Sequence, residues 1–465
     1  MTVPVNTAPA AGGRFVPRNT YKRTSGKASV LGKAVKTEAV RKRIVYTAYM
    51  LLMIRLLSQI PAPGINAAYF RSWIDTVTGS SGSAMSMLGS FTGGSFEKMS
   101  ILSLSIAPYI TASIVIQLLT FAVPRLEEIS KDGEEGRKKT ALYTRYATVF
   151  LAVVEALGLA ITYGKQGLLK AYTPKYVILV TAVFATGALF TMWAGDRMTE
   201  KGIGNGISII LLVNIVSRIP QDLAGIYSLY IKGKNPGMAL IAVMVAAGTA
   251  IFVTAATVKL NEGERRIPRQ MSGKISGRHE SRGVEQNLVL KVSTSGVMPV
   301  IFAMSIMQFP GVISQLFRYS GSGAWSRILT ALNSGSWFNI HNFKYTAGYL
   351  LYAVLLFVFA YFYTSFQLNP SEIADSMKKS GATIPGIRPG RPTAEYLRKE
   401  IKYLTAIGAL FLLGIATVPL VVNGATGLSL SMGGTSIIIV VSVIIETYRQ
   451  LESLVTARSI RTFVR

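Results

Sequence analysis

Apolar residues run along this chain in long blocks separated by short polar stretches. A helix crosses a bilayer with roughly 20 mostly apolar residues. Ten blocks reach that length: about 44–62, 100–123, 143–163, 175–195, 203–223, 237–258, 295–317, 346–368, 401–420 and 434–455. Arg145 and Arg218 lie near the ends of the third and fifth blocks and blur those boundaries. The pattern predicts an all-α polytopic membrane protein of ten transmembrane helices. An even number of crossings puts both termini on one side. Ten spans also divide into two halves of five, and a repeated odd-numbered unit must be inverted in the membrane. The expected division is a basic tail and amphipathic segment (1–43), an N-terminal half (44–223), a C-terminal half (224–455) and a short tail (456–465).

Composition agrees with this class. Of 465 residues, 50% are hydrophobic and only 15% charged, against about 25% charged in soluble chains; mean hydropathy is +0.40. The net charge of +27 is unusual for a membrane protein. Mapped onto the blocks, 36 of the 49 basic residues fall on the side of the termini and 10 on the other. The positive-inside rule therefore places both termini in the cytoplasm, with the two longest loops on that side, 259–292 and 370–400.

The connecting segments carry their own signals. Residues 1–26 have no apolar core, so they do not form a cleaved signal peptide. Leu31, Val35 and Ala39 recur four apart among basic residues; a helix on the anionic membrane surface and a plain solvated helix fit equally well. The outer segment 63–99 is rich in Ser, Gly and Met, with an apolar patch at Met85–Phe91 too short to span, and reads as re-entrant or surface-lying. Trp325, Leu329 and Trp337 suggest an interfacial turn of helix in 318–345.

Several chemistries are excluded or disfavoured. The absence of cysteine removes disulfides, CxxC redox sites and Cys-based zinc. Two histidines, His279 and His341, make a His-based metal site improbable. Neither 133-GEEGRKKT-140 nor 273-GKISG-277 has Walker A spacing. No cofactor and no catalytic residue is expected. Acids within the spans are few, essentially Glu155, with Asp196 and Glu446 near the inner surface. That argues against a proton-coupled carrier and leaves a sodium-coupled one open.

A series of motifs lies on these blocks: 59-QIPAPGI-65, 105-SIAPYITASIVIQLL-119, 133-GEEGRKK-139, 143-YTRY-146, 202-GIGNGISII-210, 296-GVMPVIFAMS-305, 384-IPGIRPG-390 and 433-GGTSIII-439. Over roughly 40–460 the chain resembles the SecY family, the pore-forming subunits of the bacterial protein-conducting channel. The resemblance implies two inverted five-helix halves forming an hourglass pore in the cytoplasmic membrane. Unfolded secretory proteins would pass through it, and hydrophobic segments would leave sideways into the lipid bilayer.

Residue by residue, the resemblance implies a pore collar of Ile110, Ile114, Ile207, Leu211, Ile301 and Ile439, with Leu211 where relatives commonly carry isoleucine. Aliphatic side chains offer ions no hydrogen bonds and dewet when narrow. Without the resemblance, such residues read as lipid-facing or core. It implies a plug at about 84–96, including Met85, Met87, Leu88 and Phe91; the plain alternative is an outer loop. It implies a lateral gate bearing Thr111, Ser113, Gln117, Glu155 and Ser293, the last where relatives usually have Asn. For Ser and Thr, the alternative is a bond back to their own helix. Arg278 and Arg388, at the tips of the cytoplasmic loops, would dock partners. Those partners would be the ATPase SecA and the ribosome, through its RNA and protein. The membrane subunits SecE and SecG, signal peptides and unfolded polypeptide substrates complete the implied set. Two other readings share the topology: a five-plus-five inverted-repeat transporter for a small molecule, and a membrane scaffold for ribosomes.

Overall fold

The computed structural model describes residues 37–66, 92–220, 236–271, 275–276, 279–280, 285–317, 324–332, 337, 346–426 and 434–463. The first part of the chain forms α1 (Glu38–Leu57), α2 (Ala107–Ala122), α3 (Pro124–Lys131), α4 (Gly133–Lys165), α5 (Pro174–Lys201) and α6 (Gly206–Val216). Next come α7 (Pro236–Glu262), β1 (Glu264–Met271), β2 (Ile275–Ser276), β3 (His279–Glu280) and β4 (Glu285–Lys291). The remainder forms α8 (Met298–Phe317), α9 (Ala324–Leu332), α10 (Thr346–Gln367), α11 (Pro370–Lys379), β5 (Ala382–Thr383), α12 (Arg391–Thr426) and α13 (Gly434–Phe463).

The ten apolar blocks fall on α1, α2, α4, α5, α6, α7, α8, α10, α12 and α13. Among the described residues, five stretches are long and apolar enough to cross a bilayer by length and composition: Glu134–Lys165, Pro174–Lys201, Val243–Glu262, Thr346–Lys379 and Arg391–Val422. A sixth arises if α2 and α3 count as one span bent by 106°. The bend sits at Val123–Pro124, where Val123 is extended (φ −110°, ψ 112°). Proline restricts the residue before it and removes a helical N–H. The other four helices are short or more polar. α6 has 11 residues, and the apolar part of α8 is Met298–Met307. α1 carries Arg41, Lys42, Arg43 and Arg55, and α13 turns polar at Glu446.

Several boundaries differ from the sequence expectation. α1 begins at Glu38 and absorbs the end of the amphipathic segment, whose Leu31 and Val35 lie outside the described residues, as does the 1–26 tail. α13 continues to Phe463, so the short tail prolongs a helix. The second block starts seven residues late. Residues 92–106 are irregular yet deeply buried, with Met99, Leu102, Leu104 and Ile106 in the core. Met99 (φ 47°) and Ser105 (φ 48°) both turn left-handed, which breaks the helix before Pro108. This segment packs so closely on α5 that a Cβ at Gly187 would meet the Ile101 carbonyl oxygen at 2.0 Å. Trp337 is not interfacial: it is fully buried, and its Nε1 donates to Ala331 O at 2.8 Å, holding the end of α9.

Small residues let helices approach closely in a membrane. Ala152, Ala156 and Ala160, four apart on α4, are fully buried in one cluster with Val180, Phe184 and Ala188 of α5. A second cluster joins α1, α5 and α6 through Met50, Ile54, Ala194, Met198, Ile210 and Leu211. The largest gathers α7, α8, α10, α12 and α13. Leu51 and Ile110 pack against both of these last two clusters and mark their seam.

The two long loops are not separate. β1 pairs antiparallel with β4 from Glu264↔Lys291 to Gln270↔Glu285, and with β5 at Gln270↔Thr383 and Met271↔Ala382. Ile267 and Leu290 bury against Met377, Ile384, Leu397 and Ile401 in one small core. Loops 259–292 and 370–400 thus form a single body outside the helical bundle.

Candidate functional site

At the seam between the clusters lies a cavity of about 430 Å³. Its position follows from how α6 starts. Asn205 caps that helix by accepting from Ile207 N at 3.1 Å, which fixes the first turn. Ile207 and Leu211 are four residues apart and share a face. Both line the cavity with Ile110 of α2, Ile301 of α8 and Ile439 of α13. Ile114 does not line it; it is buried behind, in the same cluster as Ile301 and Ile439. Four helices therefore present aliphatic side chains to one space.

Polar residues line the rest. Ser113, Gln117 and Ser293, expected at a lateral gate, all border this cavity. Their hydrogen bonds are local. Gln117 Nε2 donates to Ser113 Oγ at 3.1 Å on the same helix, and Ser293 Oγ to Gly296 O at 3.4 Å. Thr111 Oγ1 donates back to Ala107 O at 3.1 Å. Glu155 sits on α4 away from the cavity lining. A polar gate cluster bridging helices is thus not formed by these five residues.

One set of cavity residues escaped the sequence reading. Asn261, Lys291, Ser442, Glu446 and Arg449 border the cavity where the bundle meets the β-ribbon. Asn261 Nδ2 donates to Ser442 Oγ at 3.0 Å and Arg449 Nη2 to Asn261 O at 2.9 Å, tying α7 to α13. Partial burial, and then the Arg449 guanidinium, push the Lys291 ammonium below its ordinary pKa, while Glu446 and Glu264 act the other way. The cavity lining therefore combines an uncharged aliphatic set with a charged set beside the β-ribbon. The only signal for it was Glu446, noted as an acid near the inner surface.

Met85, Met87, Leu88 and Phe91 lie outside the described residues. The segment that follows them is held firmly. Gly93 (φ 65°) offers its carbonyl to Arg55 Nη1 at 3.3 Å and to Ser217 Oγ at 3.5 Å. A Cβ there would stand 2.9 Å from both Arg55 Nη1 and Asn214 Cα. Asn214 Nδ2 donates to Ser105 Oγ at 3.1 Å. Arg218 Nη1 lies 2.7 Å from Glu97 Oε1, and Arg218 is 8% exposed. The approach is off the N–H axis, so the contact is an ion pair rather than an aligned hydrogen bond. Residues 92–106 are thus clamped to α1 and to the region of α6.

Arg278 also lies outside the described residues. Arg388 is exposed on a turn between β5 and α12, flanked by Gly386 (φ 80°) and Gly390 (φ 100°). Thr393 Oγ1 donates to Arg388 O at 2.8 Å and stiffens the turn. Beneath it lies the small core that unites the two loops.

Comparison with known proteins adds a family. The SecY family model matches residues 100–448. The chain is 36% identical over 455 residues to the protein translocase subunit SecY of Mycobacterium leprae, covering 93% of this chain and 98% of that protein. It is 37% identical over 447 residues to the subunit of Corynebacterium glutamicum, covering 91% and 97%. Among solved structures, a protein-conducting channel superposes with a TM-score of 0.65 at 20% identity, covering 88% of this chain and 91% of that one. Canine Sec61 from a ribosome–channel complex gives 0.59 at 19% identity, with the same coverage.

Proposed function

The chain belongs to the SecY family, and from that premise we propose how it works as a protein-conducting channel. It passes unfolded secretory proteins across the membrane and releases hydrophobic segments sideways into lipid. The observation that carries the reading is the cavity: Ile110, Ile207, Leu211, Ile301 and Ile439 converge on one space from four helices. Such a ring resists ions because it offers them no hydrogen bonds and dewets when narrow. It yields to a chain because each contact is a weak dispersion contact. Ile114 backs the ring from behind. A small-molecule carrier needs charged or polar binding groups among its mid-cavity residues, and the five residues that converge here are all aliphatic.

The remaining assignments follow in the same framework. Residues 84–96 act as the plug, with Met85, Met87, Leu88 and Phe91 its apolar part. The gate opens beside Ser113, Gln117 and Ser293. The protein sits in the cytoplasmic membrane with both termini inside, its halves being 44–223 and 224–455. The united loop body, with Arg388 on its exposed turn, receives SecA or the ribosome, which drive an otherwise passive channel, and Arg278 is a second docking residue in the same loop sequence. An exposed guanidinium on a stiff turn suits RNA phosphates or carboxylates. SecE and SecG are its membrane partners.

Ile439→Asn tests the collar. A polar amide in the ring lowers the cost of hydrating it, so secretory proteins with defective signal sequences pass more readily. Unchanged discrimination between intact and defective signals, measured in cells that export a reporter enzyme, refutes the pore assignment.

A further inference from the structure

β4 forms one edge of the sheet: the strand order is β4-β1-β5, and among the described residues no strand lies beyond it. The register shows which groups that edge leaves open. Val292 N donates to Gly263 O at 2.9 Å, directly beyond the Glu264↔Lys291 pair. In an antiparallel ladder, hydrogen-bonded and non-hydrogen-bonded pairs alternate. Leu290 and Leu288 therefore exchange bonds with Arg265 and Ile267, while Lys291, Val289 and Asn287 stand in non-hydrogen-bonded pairs. Pro268, which has no N–H, falls opposite Asn287 at such a pair, as the alternation requires. Asn287, Val289 and Lys291 thus turn their N–H and C=O groups away from β1; the Lys291 carbonyl already accepts from Thr294 Oγ1 at 2.8 Å, so the open groups are those of Asn287 and Val289 and the Lys291 N–H. All three residues are exposed, Val289 at 46%.

We propose that this free edge of β4 is a strand-addition site, taken by an extended stretch of the translocating polypeptide on its way into the cavity. The inference rests on the channel reading above. Three observations converge on it. The edge is continuous with the cavity, because β4 ends at Lys291, a lining residue, and the chain runs on through Ser293 and Val297, which also line it. The occupant of a protein channel is unfolded and varied in sequence. Main-chain pairing on a sheet edge holds an extended peptide whatever its side chains. The site is also rigid: the inward faces of Leu288 and Leu290 pack against or within the core formed with Met377, Ile384 and Leu397. Asn287 and Lys291 on the edge discourage pairing between two copies of the protein, since polar and charged residues blunt strand edges.

The experiment uses the assembled membrane complex with its motor in vesicles, and a secretory protein stalled by a folded domain at its C-terminus. Photoreactive side chains are placed at 287, 288 and 289. Crosslinks to the stalled chain are expected from 287 and 289, not from the core-facing 288, and with two unrelated cargo sequences alike. Val289→Pro then removes one outward donor. Proline is tolerated where the N–H of an edge strand faces outward, so the ribbon is kept. One hydrogen bond corresponds to about a two- to tenfold effect, and the yield at 287 should fall by that factor. Val289→Ala keeps the N–H and should retain most of the yield.

Equal yields from 287 and 288, or a Val289→Pro yield equal to the parent's, overturn the proposal. So does a fall in yield that tracks lost motor binding, since the edge would then belong to the motor. Should Val289→Pro fail to assemble, the 287-against-288 comparison in the parent decides alone. Failure of the channel reading itself is distinct: the unmodified complex would then transport no cargo at all.

Discussion

Gly93→Ala probes the clamp that follows the proposed plug. Gly93 lies at φ 65°, and its carbonyl receives Arg55 and Ser217. A left-handed conformation costs a residue with a Cβ about 1–2 kcal/mol. The new methyl would also stand 2.9 Å from Asn214 Cα. That neighbour is backbone and cannot rotate aside, so the segment lifts and the bond from Arg55 is strained or lost. Hydrogen bonds to charged groups contribute about 1.5–3 kcal/mol, and this one is long at 3.3 Å, so a value near the lower end applies. Taking this clamped arrangement as the closed one, it loses roughly 2–4 kcal/mol, which shifts an open–closed equilibrium about 30- to 700-fold. The assay is ion flux through the reconstituted complex without cargo or motor. Gly167→Ala is the control: it sits at φ 75° with nothing within 4 Å of the added Cβ. It carries the backbone strain without touching the clamp, and its resting flux should match the parent's. A Gly93→Ala complex that assembles normally yet conducts no more ions than Gly167→Ala refutes the clamp as a determinant of closure.

The loop body yields two more predictions. Arg388→Glu lies on an exposed turn, so its effect on stability should stay within about 0.5 kcal/mol. Motor-driven secretion should nevertheless fall several-fold; unchanged secretion rules Arg388 out as a docking contact. Leu397→Ala empties part of the small core that Leu397 shares with Ile267, Leu290 and Ile384. At about 2–5 kcal/mol for a large-to-small core change, it should loosen both loops together and raise protease cleavage in each. Cleavage confined to 370–400 would show that the loops fold independently.

The sequence announced the bundle but not what decorates it, and the reason differs from place to place. Spans such as α5 and α12 are legible because a bilayer demands a long apolar run whatever the tertiary partners. The β-ribbon was hidden for the opposite reason. Ile267 stands among Arg265, Arg266 and Arg269, and Leu288, Val289 and Leu290 form a short apolar run; neither pattern shows that Ile267, Leu288 and Leu290 are buried by Met377, Ile384 and Leu397, more than 80 residues away. Residues 100–106 continue the apolar run of α2 in sequence, and the left-handed turns at Met99 and Ser105, two non-glycine positions, break them off. The collar positions cannot be told from lipid-facing aliphatics by composition. They were nameable because the motifs around them resemble a family. The gate residues show the limit of that route. Ser113, Gln117 and Ser293 do reach the cavity, but each spends its hydrogen bond on a near neighbour in the chain.

The charge of +27 acquires a mechanical sense once these parts are put together. Cations crowd the loop body and, as Lys291 and Arg449, the part of the cavity lining beside it, while the aliphatic set carries none. Between the two runs a short, direct connection. Arg388 sits on the turn after β5; β5 pairs with β1; β1 pairs with β4; and β4 enters the cavity wall at Lys291. The chain just beyond is wedged against α12, where a Cβ at Gly408 would meet Val292 O at 2.5 Å. Close-packed contacts of this kind transmit displacement instead of absorbing it. On the proposed reading, a partner that seizes the loop body pulls on the wall beside Ser293 and Ile301, and the strands of that body set the position of one side of the proposed collar.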